Sequence, residues 1–467
     1  LIERLPQPVM HDDVHRGHGE TVGAEDRARF GRVNVDYTYR VRVEHRPGQL
    51  ARVLEAIAEA GGLVGDVTTC KLTRAFSIRE VTVEVEDDDR ARELGRAIDA
   101  LESVEVEDCF DRALALHEGG KLTIEPVRRI EGVQDMRDVY TPGVARACEA
   151  IRDDPDAARR LTMIGRTVAI CTNGTRVLGL GDIGPRAAMP VMEGKAVFYK
   201  QLAGISAMPI LIDATDPEEF VETVVRIAPT FGGIHLEDIA TPACFDIEAA
   251  LIERLPQPVM HDDVHGTAVV ALAAVMAACR SVGVDLGDVV VGQLGLGAAG
   301  YGIAGLMVDA GAQRVIAYDP SEEAHEHARG RGVEIVGDED TVLGEARVLV
   351  ATTGRAGSID ANRIREGQIV LALSNPDPEI DPEEAMGAGA AFASDGSTVN
   401  NVLGYPGMFR GALDAGAQEM SSEMKLAAAR ALAESDDDGD GLLPDPLDPS
   451  VHERVAEAVR EAAAEHG

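Results

Sequence analysis

The chain contains 467 residues, of which 45% are hydrophobic and 27% charged, a balance that excludes wholesale disorder. At roughly 100–200 residues per domain, this length predicts about three domains. The 44 lysines and arginines stand against 81 aspartates and glutamates, which gives a formal net charge of −37. A surface of that charge repels phosphate backbones and argues against nucleic acid as a partner.

Two explanations of the negative charge remain open. An arginine-rich composition of the kind that high-GC coding gives would leave an ordinary acidic protein. Adaptation to high salt would instead use the dense carboxylates to keep the surface hydrated.

The cysteines and the apolar runs predict a cytoplasmic protein. The six cysteines are scattered without any C-x-x-C pair, which favours reduced thiols over a disulfide framework or a zinc site. The longest apolar run, at 267–279, is too short to span a bilayer, and no signal peptide is recognisable. We therefore expect no membrane association.

The first 15 residues recur without change at 251–265. Chance cannot produce such an identity, and an old duplication would have diverged. We interpret the first copy as an artefact of cloning, gene start or assembly, and assign function to the second copy alone. Residues 1–36 are predicted to form a poorly ordered leader.

The next part of the chain, at 37–113, has the pattern of a small ferredoxin-like unit. Alternating and helical periodicities, with a turn at Arg46-Pro47-Gly48, predict a β-α-β-β-α-β order. The predicted strands are 37–44, 63–70, 77–86 and 103–109, with a second helix at 88–102. Together with Gly62, Gly65 and Asp66, the turn resembles the ligand loop and second strand of an ACT domain. That resemblance implies a paired domain that binds an amino acid or another small effector; the alternative is a dimerisation module without a ligand.

A dinucleotide-binding pattern lies further along the chain. A short strand at 288–291 leads into Gly295-Leu296-Gly297-Ala298-Ala299-Gly300, followed by a helix to about 310 and a strand at 314–318 that ends at Asp319. Glycines permit the tight turn and the approach of a pyrophosphate to the helix N-terminus, while the acid binds the ribose 2′-OH. The pattern predicts NAD; NADP is the alternative, because Ser321 offers a hydrogen bond to a 2′-phosphate.

Two pairs of carboxylates flank apolar stretches. Glu237-Asp238 follows a strand pattern, and Asp262-Asp263 precedes a long helix pattern. Oxygen-rich ligands of this kind suit Mg²⁺ or Mn²⁺. The alternative is that the pairs are solvated surface residues.

Lys195 and Tyr140 are candidates for proton transfer. Lys195 lies in an otherwise apolar stretch, where burial and a nearby cation would lower its pKa and make it a base. The alternative is a lysine that extends from a helix into solvent. Tyr140 begins a turn before a helix and is not distinctive by itself.

Seven blocks in this order resemble the malic enzymes of the short prokaryotic type, over 112–467. The blocks are Tyr140-Thr141-Pro142-Gly143-Val144, 173–184, Met192-Glu193-Gly194-Lys195, Leu236-Glu237-Asp238-Ile239, 261–267, Ser374-Asn375-Pro376 and 400–404. The resemblance implies an α/β fold with an α/β malic-enzyme N-terminal catalytic domain at 114–265 and a Rossmann-like NAD-binding domain at 266–440. A C-terminal helical segment follows at 441–467, and the ferredoxin-like ACT domain at 37–113 precedes them.

The resemblance also implies the roles of single residues. Glu237, Asp238 and Asp263 match metal ligands, Lys195 matches the base with Asp262 as its partner, and Tyr140 matches the acid. The implied ligands of the substrate carboxylates are Arg176, Asn375 and one of the neighbours Asn400 and Asn401. The residues assigned to the cofactor are Gly295, Gly297, Ala298, Ala299, Gly300, Asp319, Thr352, Thr353 and Asn375.

The implied activity is the oxidative decarboxylation of L-malate to pyruvate and CO₂ with reduction of NAD. Two alternatives remain: a malolactic enzyme, which releases lactate without net cofactor change, and a protein without catalytic activity that binds an effector. The expected assembly is a homodimer or homotetramer.

Overall fold

A computed structural model of the protein describes residues 34–177, 179–397, 399–435 and 442–466. The first copy of the repeat and all but the last residues of the predicted leader lie outside this range. The chain divides into two compact units, Leu1–Leu116 and His117–Gly467. The domain boundaries proposed at 113, 265 and 440 stay predictions.

The described part of the first unit is an antiparallel sheet with helices. Its elements are β1 (Val35–Glu44), α1 (Gln49–Glu59), β2 (Leu63–Leu72), β3 (Phe76–Val85), α2 (Asp88–Asp99), β4 (Val104–Asp111) and α3 (Arg112–His117). The strand order is β2-β3-β1-β4, so the predicted β-α-β-β-α-β order is confirmed. The first strand begins inside the predicted leader because Val35 pairs with Val85 and extends the ladder.

Hydrophobic periodicity explains the helices of this unit. In α2 the buried residues are Ala91, Leu94 and Ile98, spaced three and four apart on one helix face. Asp87 caps the helix by accepting the Arg90 N–H. These side chains pack with buried strand residues such as Val81 into one core.

The second unit begins with short helices and a four-stranded sheet. Its first elements are α4 (Val133–Val139), α5 (Val144–Asp153), α6 (Ala157–Leu161), β5 (Thr167–Thr172), α7 (Gly184–Ala203), β6 (Ser206–Leu211), α8 (Pro217–Ile227), β7 (Gly233–Leu236), α9 (Ala243–Arg254) and β8 (Val259–His261). The strand order is β6-β5-β7-β8, and all pairs are parallel. The carboxyl ends of all four strands therefore meet at one edge.

The rest of this unit contains a Rossmann-like sheet. Its elements are α10 (Thr267–Val282), β9 (Val290–Leu294), α11 (Ala298–Asp309), β10 (Arg314–Tyr318), α12 (Glu322–Arg329), β11 (Glu334–Ile335), α13 (Glu339–Glu345), β12 (Val348–Ala351), β13 (Ile369–Ala372), α14 (Pro382–Gly387), β14 (Phe392–Asp395), α15 (Tyr405–Ala415), α16 (Ser422–Ala433) and α17 (Pro449–His466). Six parallel strands follow the order β11-β10-β9-β12-β13-β14. The order reverses at β9, where doubly wound sheets bind ligands. Strand β9 starts two residues later than predicted, because Leu286–Asp288 forms a 3₁₀ turn capped by Asp285.

One helix is longer than the sequence indicated. A π-helical turn at Asp262–Gly266 precedes α10, and together they span Asp262–Val282. By length and composition this stretch is apolar enough to cross a membrane, and it is the one such helix found among the described residues. In the structure 67% of its apolar window is buried, and the core helix of a soluble protein passes the same test.

Candidate active site

Four acidic side chains and one amine meet at the carboxyl edge of the four-stranded sheet. Glu237 and Asp238 directly follow β7, and Asp262 and Asp263 directly follow its neighbour β8. Glu237, Asp238 and Asp263 each offer a carboxylate oxygen, and these three atoms lie within 4.8 Å of one another. The structure therefore brings together the three carboxylates that the sequence suggested as metal ligands.

The backbone of Asp238 organises this cluster. Its φ of 54° is in the left-handed region, which is uncommon for a residue with a side chain. In this conformation its N–H donates to Asp263 Oδ2 at 3.1 Å, and its carbonyl accepts the Arg176 N–H at 3.1 Å. The chain conformation itself thus holds the two acidic pairs side by side.

The electrostatics of the cluster fit a cation. Burial raises the pKa of Glu237 and of Asp238, and the neighbouring carboxylates raise it further. Asp238 Oδ2 is buried without a hydrogen-bond partner. Because unpaired buried carboxylates are costly, and because their oxygens are hard ligands, the three side chains suit Mg²⁺ or Mn²⁺.

Lys195, on α7, is paired with two carboxylates. Its Nζ contacts Asp262 Oδ2 and lies 3.2 Å from Glu237 Oε1, and 11% of its side chain is exposed. The ring of Tyr405 covers the amine, with its centroid 4.6 Å from Nζ. A lysine extending into solvent is therefore not observed.

The predicted lowering of the Lys195 pKa by burial and a nearby cation stays a prediction, because the chain by itself supplies no cation. Burial acts to lower this pKa, but the charges of Asp262 and Glu237 outweigh it, so the pKa is raised well above its ordinary value. Counting the opposing carboxylates requires their positions, which the sequence does not give. The charge of a bound divalent ion would oppose those carboxylates.

Asp262 connects the amine with a neighbouring amide. Its side chain is fully buried, and burial raises its pKa to about 6 against the opposing charge of Lys195. Asn401 Nδ2 donates to Asp262 Oδ2 at 2.7 Å. Asn400 instead accepts the Val402 N–H at 3.0 Å and caps a 3₁₀ turn. Of the two adjacent asparagines, Asn401 is the one that the structure joins to the cluster.

A chain of buried side chains behind Glu237 was missed in the sequence. The Tyr199 hydroxyl and His235 Nδ1 are 2.8 Å apart, and His235 Nε2 lies 2.6 Å from Glu237 Oε2. Burial lowers the pKa of His235 to about 4, so its ring is neutral. The alternation of β7 was the available signal, because residues two apart in a strand share a face.

Other predicted residues are not gathered into the cluster. Tyr140 follows α4 and is 72% exposed, and among the described residues no hydrogen bond joins it to Lys195. Arg176 and Asn375 are exposed as well, although the backbone N–H of Arg176 reaches Asp238. The roles assigned to these three side chains stay predictions.

The glycine-rich turn has the form that a dinucleotide needs. Gly295 has a φ of 86°, and a Cβ there would lie 2.6 Å from the Thr352 carbonyl oxygen. A Cβ on Gly300 would lie 1.9 Å from the Gly295 oxygen, so this glycine lets α11 pack on the turn. A Cβ on Gly297 would meet nothing within 4 Å, which leaves open space at the N-terminus of α11, where Ala298 and Ala299 follow.

A cavity of about 190 Å³ lies beside this turn. It is lined by Leu294, Gly295, Tyr318, Asp319, Pro320, Glu339, Thr353, Arg355 and Ser358. Asp319 accepts the Leu296 N–H at 2.7 Å, which fixes the acid at the end of β10 against the glycine turn. Thr352 accepts a hydrogen bond from the Gln293 side chain, and Thr353 donates to Glu379. Glu379 is fully buried and was not predicted from the sequence.

Comparisons with known families agree with this geometry. The family model for the malic enzyme N-terminal domain matches residues 120–218 and 214–252. The model for the malic enzyme NAD binding domain matches residues 264–328.

Individual relatives extend the match to most of the chain. NAD-dependent malic enzyme 1 of Bacillus subtilis is 48% identical over 418 residues, which cover 89% of this chain and 95% of that protein. The NAD-dependent malic enzyme of Geobacillus stearothermophilus is 38% identical and covers 94% of this chain and 96% of its own length. The crystal structure of a malic enzyme from Pyrococcus horikoshii superposes with a TM-score of 0.72 at 37% identity, over 76% of this chain and 90% of that one. This chain belongs to the malic enzyme family.

Proposed function

We propose that the protein oxidises and decarboxylates L-malate to pyruvate and CO₂, with NAD as the hydride acceptor. The observation that carries this proposal is the paired Lys195 and Asp262 beside the cluster of Glu237, Asp238 and Asp263. A base can take the hydroxyl proton when a hydroxy acid is oxidised. A cation beside it can stabilise the enolate that decarboxylation leaves.

Residues already described would hold a divalent metal ion and NAD. A divalent ion bound by Glu237, Asp238 and Asp263 would supply a Lewis acid at the C2 oxygen. The glycine turn and Asp319 would hold NAD, which would supply the hydride acceptor. Exposed Arg176 and Asn375, together with Asn401, would orient the two carboxylates of malate through charge and hydrogen bonds.

Lys195 and Asp262 together take the proton of the C2 hydroxyl. The proton enters at Lys195 Nζ while a proton already on Nζ passes to Asp262 Oδ2, with which it is in contact. A carboxyl whose pKa is raised to about 6 holds such a proton more readily than an ordinary aspartate. The buried pair therefore acts as one proton acceptor.

Tyr140 returns a proton to C3 after CO₂ has left. A phenol is a weak acid near neutral pH, so its hydroxyl needs a partner that replaces the proton. Lys195 is the partner that we assign, which requires the two side chains to meet in the working enzyme. Tyr140→Phe should impair pyruvate formation more than the reduction of oxaloacetate, because reduction needs no acid at C3; equal losses in both reactions would refute the assignment.

An initial-rate assay with malate and Mn²⁺ tests the activity, with NAD and NADP compared at equal concentration. We expect one pyruvate and one NADH for each malate consumed, with NAD preferred. Lactate without net NADH would identify a malolactic enzyme. If neither cofactor supports turnover, the remaining hypothesis is an effector-binding protein without catalytic activity.

We further propose that the first unit is an ACT domain that binds a small effector. A cavity of about 290 Å³ surrounds the predicted ligand turn and is lined by Val43, Glu44, His45, Arg46, Pro47, Gln49, Leu50, Ser77 and Arg79. Two of its atoms, Gln49 Oε1 and Arg79 Nε, are buried without hydrogen-bond partners. An amino acid offers both a carboxylate for the arginine and a donor for the glutamine.

Pairing of two first units would suit the same proposal. Strand β2 is an edge of its sheet and is exposed along its whole length, with Leu63 and Leu72 among its exposed apolar residues. Such an edge readily pairs with another strand.

Calorimetric titration of the twenty amino acids into the whole protein, repeated with Arg79→Ala, tests the effector. Binding that the substitution abolishes supports the ACT assignment, and no binding favours a dimerisation module.

A further inference from the structure

A buried carboxylate that the proposed chemistry does not use lies behind the acidic cluster. Glu248 is on α9, the helix between β7 and β8, and is 6% exposed. Its Oε1 accepts the His261 N–H at 2.7 Å, and its Oε2 lies 3.0 Å from His265 Nε2. Because a carboxylate is costly to bury without partners, these two contacts offset part of the cost of its place in the interior.

The two partners of Glu248 frame the turn between β8 and α10. His261 is the last residue of β8, and His265 lies in the π-helical turn Asp262–Gly266, after the two aspartates of that turn. One side chain therefore contacts the backbone before these aspartates and a ring after them. Turns with π-helical geometry are rare and frequently lie at functional sites, so a contact that fixes this one bears on the acids within it.

The turn is packed too closely to absorb a displacement. A Cβ on Gly266 would lie 1.8 Å from Asp262 Oδ1, so the turn closes on its own first side chain. A Cβ on Gly302 would lie 2.0 Å from the Val264 carbonyl oxygen, so α11 packs directly on the turn at this glycine. Close-packed interiors transmit strain. A shift at either end of the turn therefore moves the aspartates that it carries.

Asp263 takes its position mainly from its backbone. Its side chain is 33% exposed, and its Oδ2 accepts the Asp238 N–H at 3.1 Å. The Glu237 side chain, in contrast, is 4% exposed, with His235 Nε2 at 2.6 Å and Lys195 Nζ at 3.2 Å from its two oxygens. Side-chain contacts thus hold Glu237 in the cluster, whereas the turn holds Asp263.

We propose that Glu248 is a positioning residue of the cation site and holds both ends of the turn that carries Asp262 and Asp263. This inference rests on the proposed function, in which Asp263 is one of three ligands of a divalent ion. Loss of the Glu248 carboxylate frees the turn, so the three ligands meet an ion in a less favourable geometry. The affinity for the ion then falls, although Glu248 itself does not touch it.

Direct binding of Mn²⁺ tests the inference without any substrate. Electron paramagnetic resonance of free Mn²⁺ gives the dissociation constant and the number of ions bound per chain. The ion at the cluster is the one that Asp263→Ala removes, which separates it from ions held loosely by the acidic surface. Glu248→Leu keeps a side chain of comparable size without an acceptor. We expect it to raise the dissociation constant by roughly 10–100-fold, as when a residue behind metal ligands is lost.

Three further variants sharpen the measurement. Glu248→Gln keeps an acceptor for the His261 N–H and should recover most of the affinity. His265→Ala removes one of the two contacts and should raise the dissociation constant less than Glu248→Leu does. Glu253→Leu is the matched control, because Glu253 lies on the same helix but is exposed, and it should bind Mn²⁺ as the wild type does.

Several outcomes would overturn the inference. One is an unchanged dissociation constant in Glu248→Leu; if that variant does not fold, an unchanged constant in His265→Ala decides in the same way. Fewer ions bound with the same constant would show unfolded chains instead of misplaced ligands. Equal losses in Glu248→Leu and Glu248→Gln would show that the charge acts on the ion from a distance. Wild-type protein that binds no ion removable by Asp263→Ala would instead refute the metal site of the proposed function, so the two failures are distinguishable.

Discussion

The two halves of the candidate site differ in how the fold holds them. The amine and the carboxylates come from α7, from the ends of β7 and β8, and from the π-helical turn, and they contact one another directly. The phenol follows α4, in a segment with no buried side chain before it. A parallel sheet fixes the polar groups at its strand ends. The short helix α4 buries none of its side chains, so packing within the described chain does little to hold it.

The difference follows from the cost of buried charge. Lys195 and Asp262 can remain in the interior only as partners, because an unpaired charge there is strongly unfavourable. Folding therefore fixes the geometry of the buried half before any ligand binds. Tyr140 is largely exposed and is under no such constraint.

Removal of the amine should have the largest effect. Lys195→Ala takes away the proton acceptor, and we expect malate oxidation to fall by roughly 10²–10⁴-fold while NAD binding is nearly unchanged. Lys200→Ala is the matched control, since Lys200 lies on the same helix but is exposed. Initial rates and a fluorescence titration of NADH would measure both properties. If Lys195→Ala lost NADH binding, Lys195 would have a role beyond proton transfer, which would contradict its assignment as the proton acceptor.

Loss of one carboxylate should have the next largest effect. Asp263→Ala removes one side chain from the three-carboxylate cluster. We expect the Mn²⁺ concentration for half-maximal activity to rise by more than the roughly 10–100-fold that is typical when a residue hydrogen-bonded to a metal ligand is lost. The repeat supplies its own control, because Asp13 occupies the corresponding position of the first copy. Asp13→Ala should leave the Mn²⁺ requirement unaltered, and an equal rise in both variants would show that the first copy also takes part.

Much of the buried half could be predicted from the sequence. Apolar strand patterns followed directly by Glu237-Asp238 and by Asp262-Asp263 placed four acids at strand ends, and the parallel sheet brings those ends together. His235 could also have been found, since it lies in β7, two residues before Glu237, which directly follows that strand. The raised pKa of Lys195 could not, because its direction depends on how many carboxylates face the amine in space.

The sequence gives less information about the exposed half. It identified Tyr140 through resemblance alone, and the apolar residues before it are compatible with a core, a partner or a lid. Nor could spacing decide between Asn400 and Asn401. Their neighbouring positions differ in backbone geometry, which turns one amide to Asp262 and the other to its own turn.

That pair of asparagines gives a finer test of where the buried half ends. Asn401→Ala removes the hydrogen bond to Asp262, and we expect pyruvate formation to fall by about tenfold, corresponding to the ~1.5 kcal/mol of a hydrogen bond to a charged group. Asn400→Ala should mainly cost about 1 kcal/mol of unfolding free energy, as the loss of a cap does. Urea unfolding and initial rates on both variants would separate the effects. A loss of activity in Asn400→Ala with a loss of stability alone in Asn401→Ala would instead place Asn400 in the site.

The smallest effect is expected from a matched pair of tyrosines inside the buried half, whose ring centroids are 4.9 Å apart. Tyr199→Phe deletes the hydrogen bond to His235, which in turn contacts Glu237, so we expect a loss of about 1 kcal/mol in unfolding free energy and a few-fold higher Mn²⁺ requirement. Tyr405→Phe should change neither property, because the Tyr405 hydroxyl is buried without a hydrogen-bond partner. If Tyr405→Phe instead lost pyruvate formation while oxaloacetate reduction persisted, the acid would be Tyr405. The phenol would then belong to the buried half.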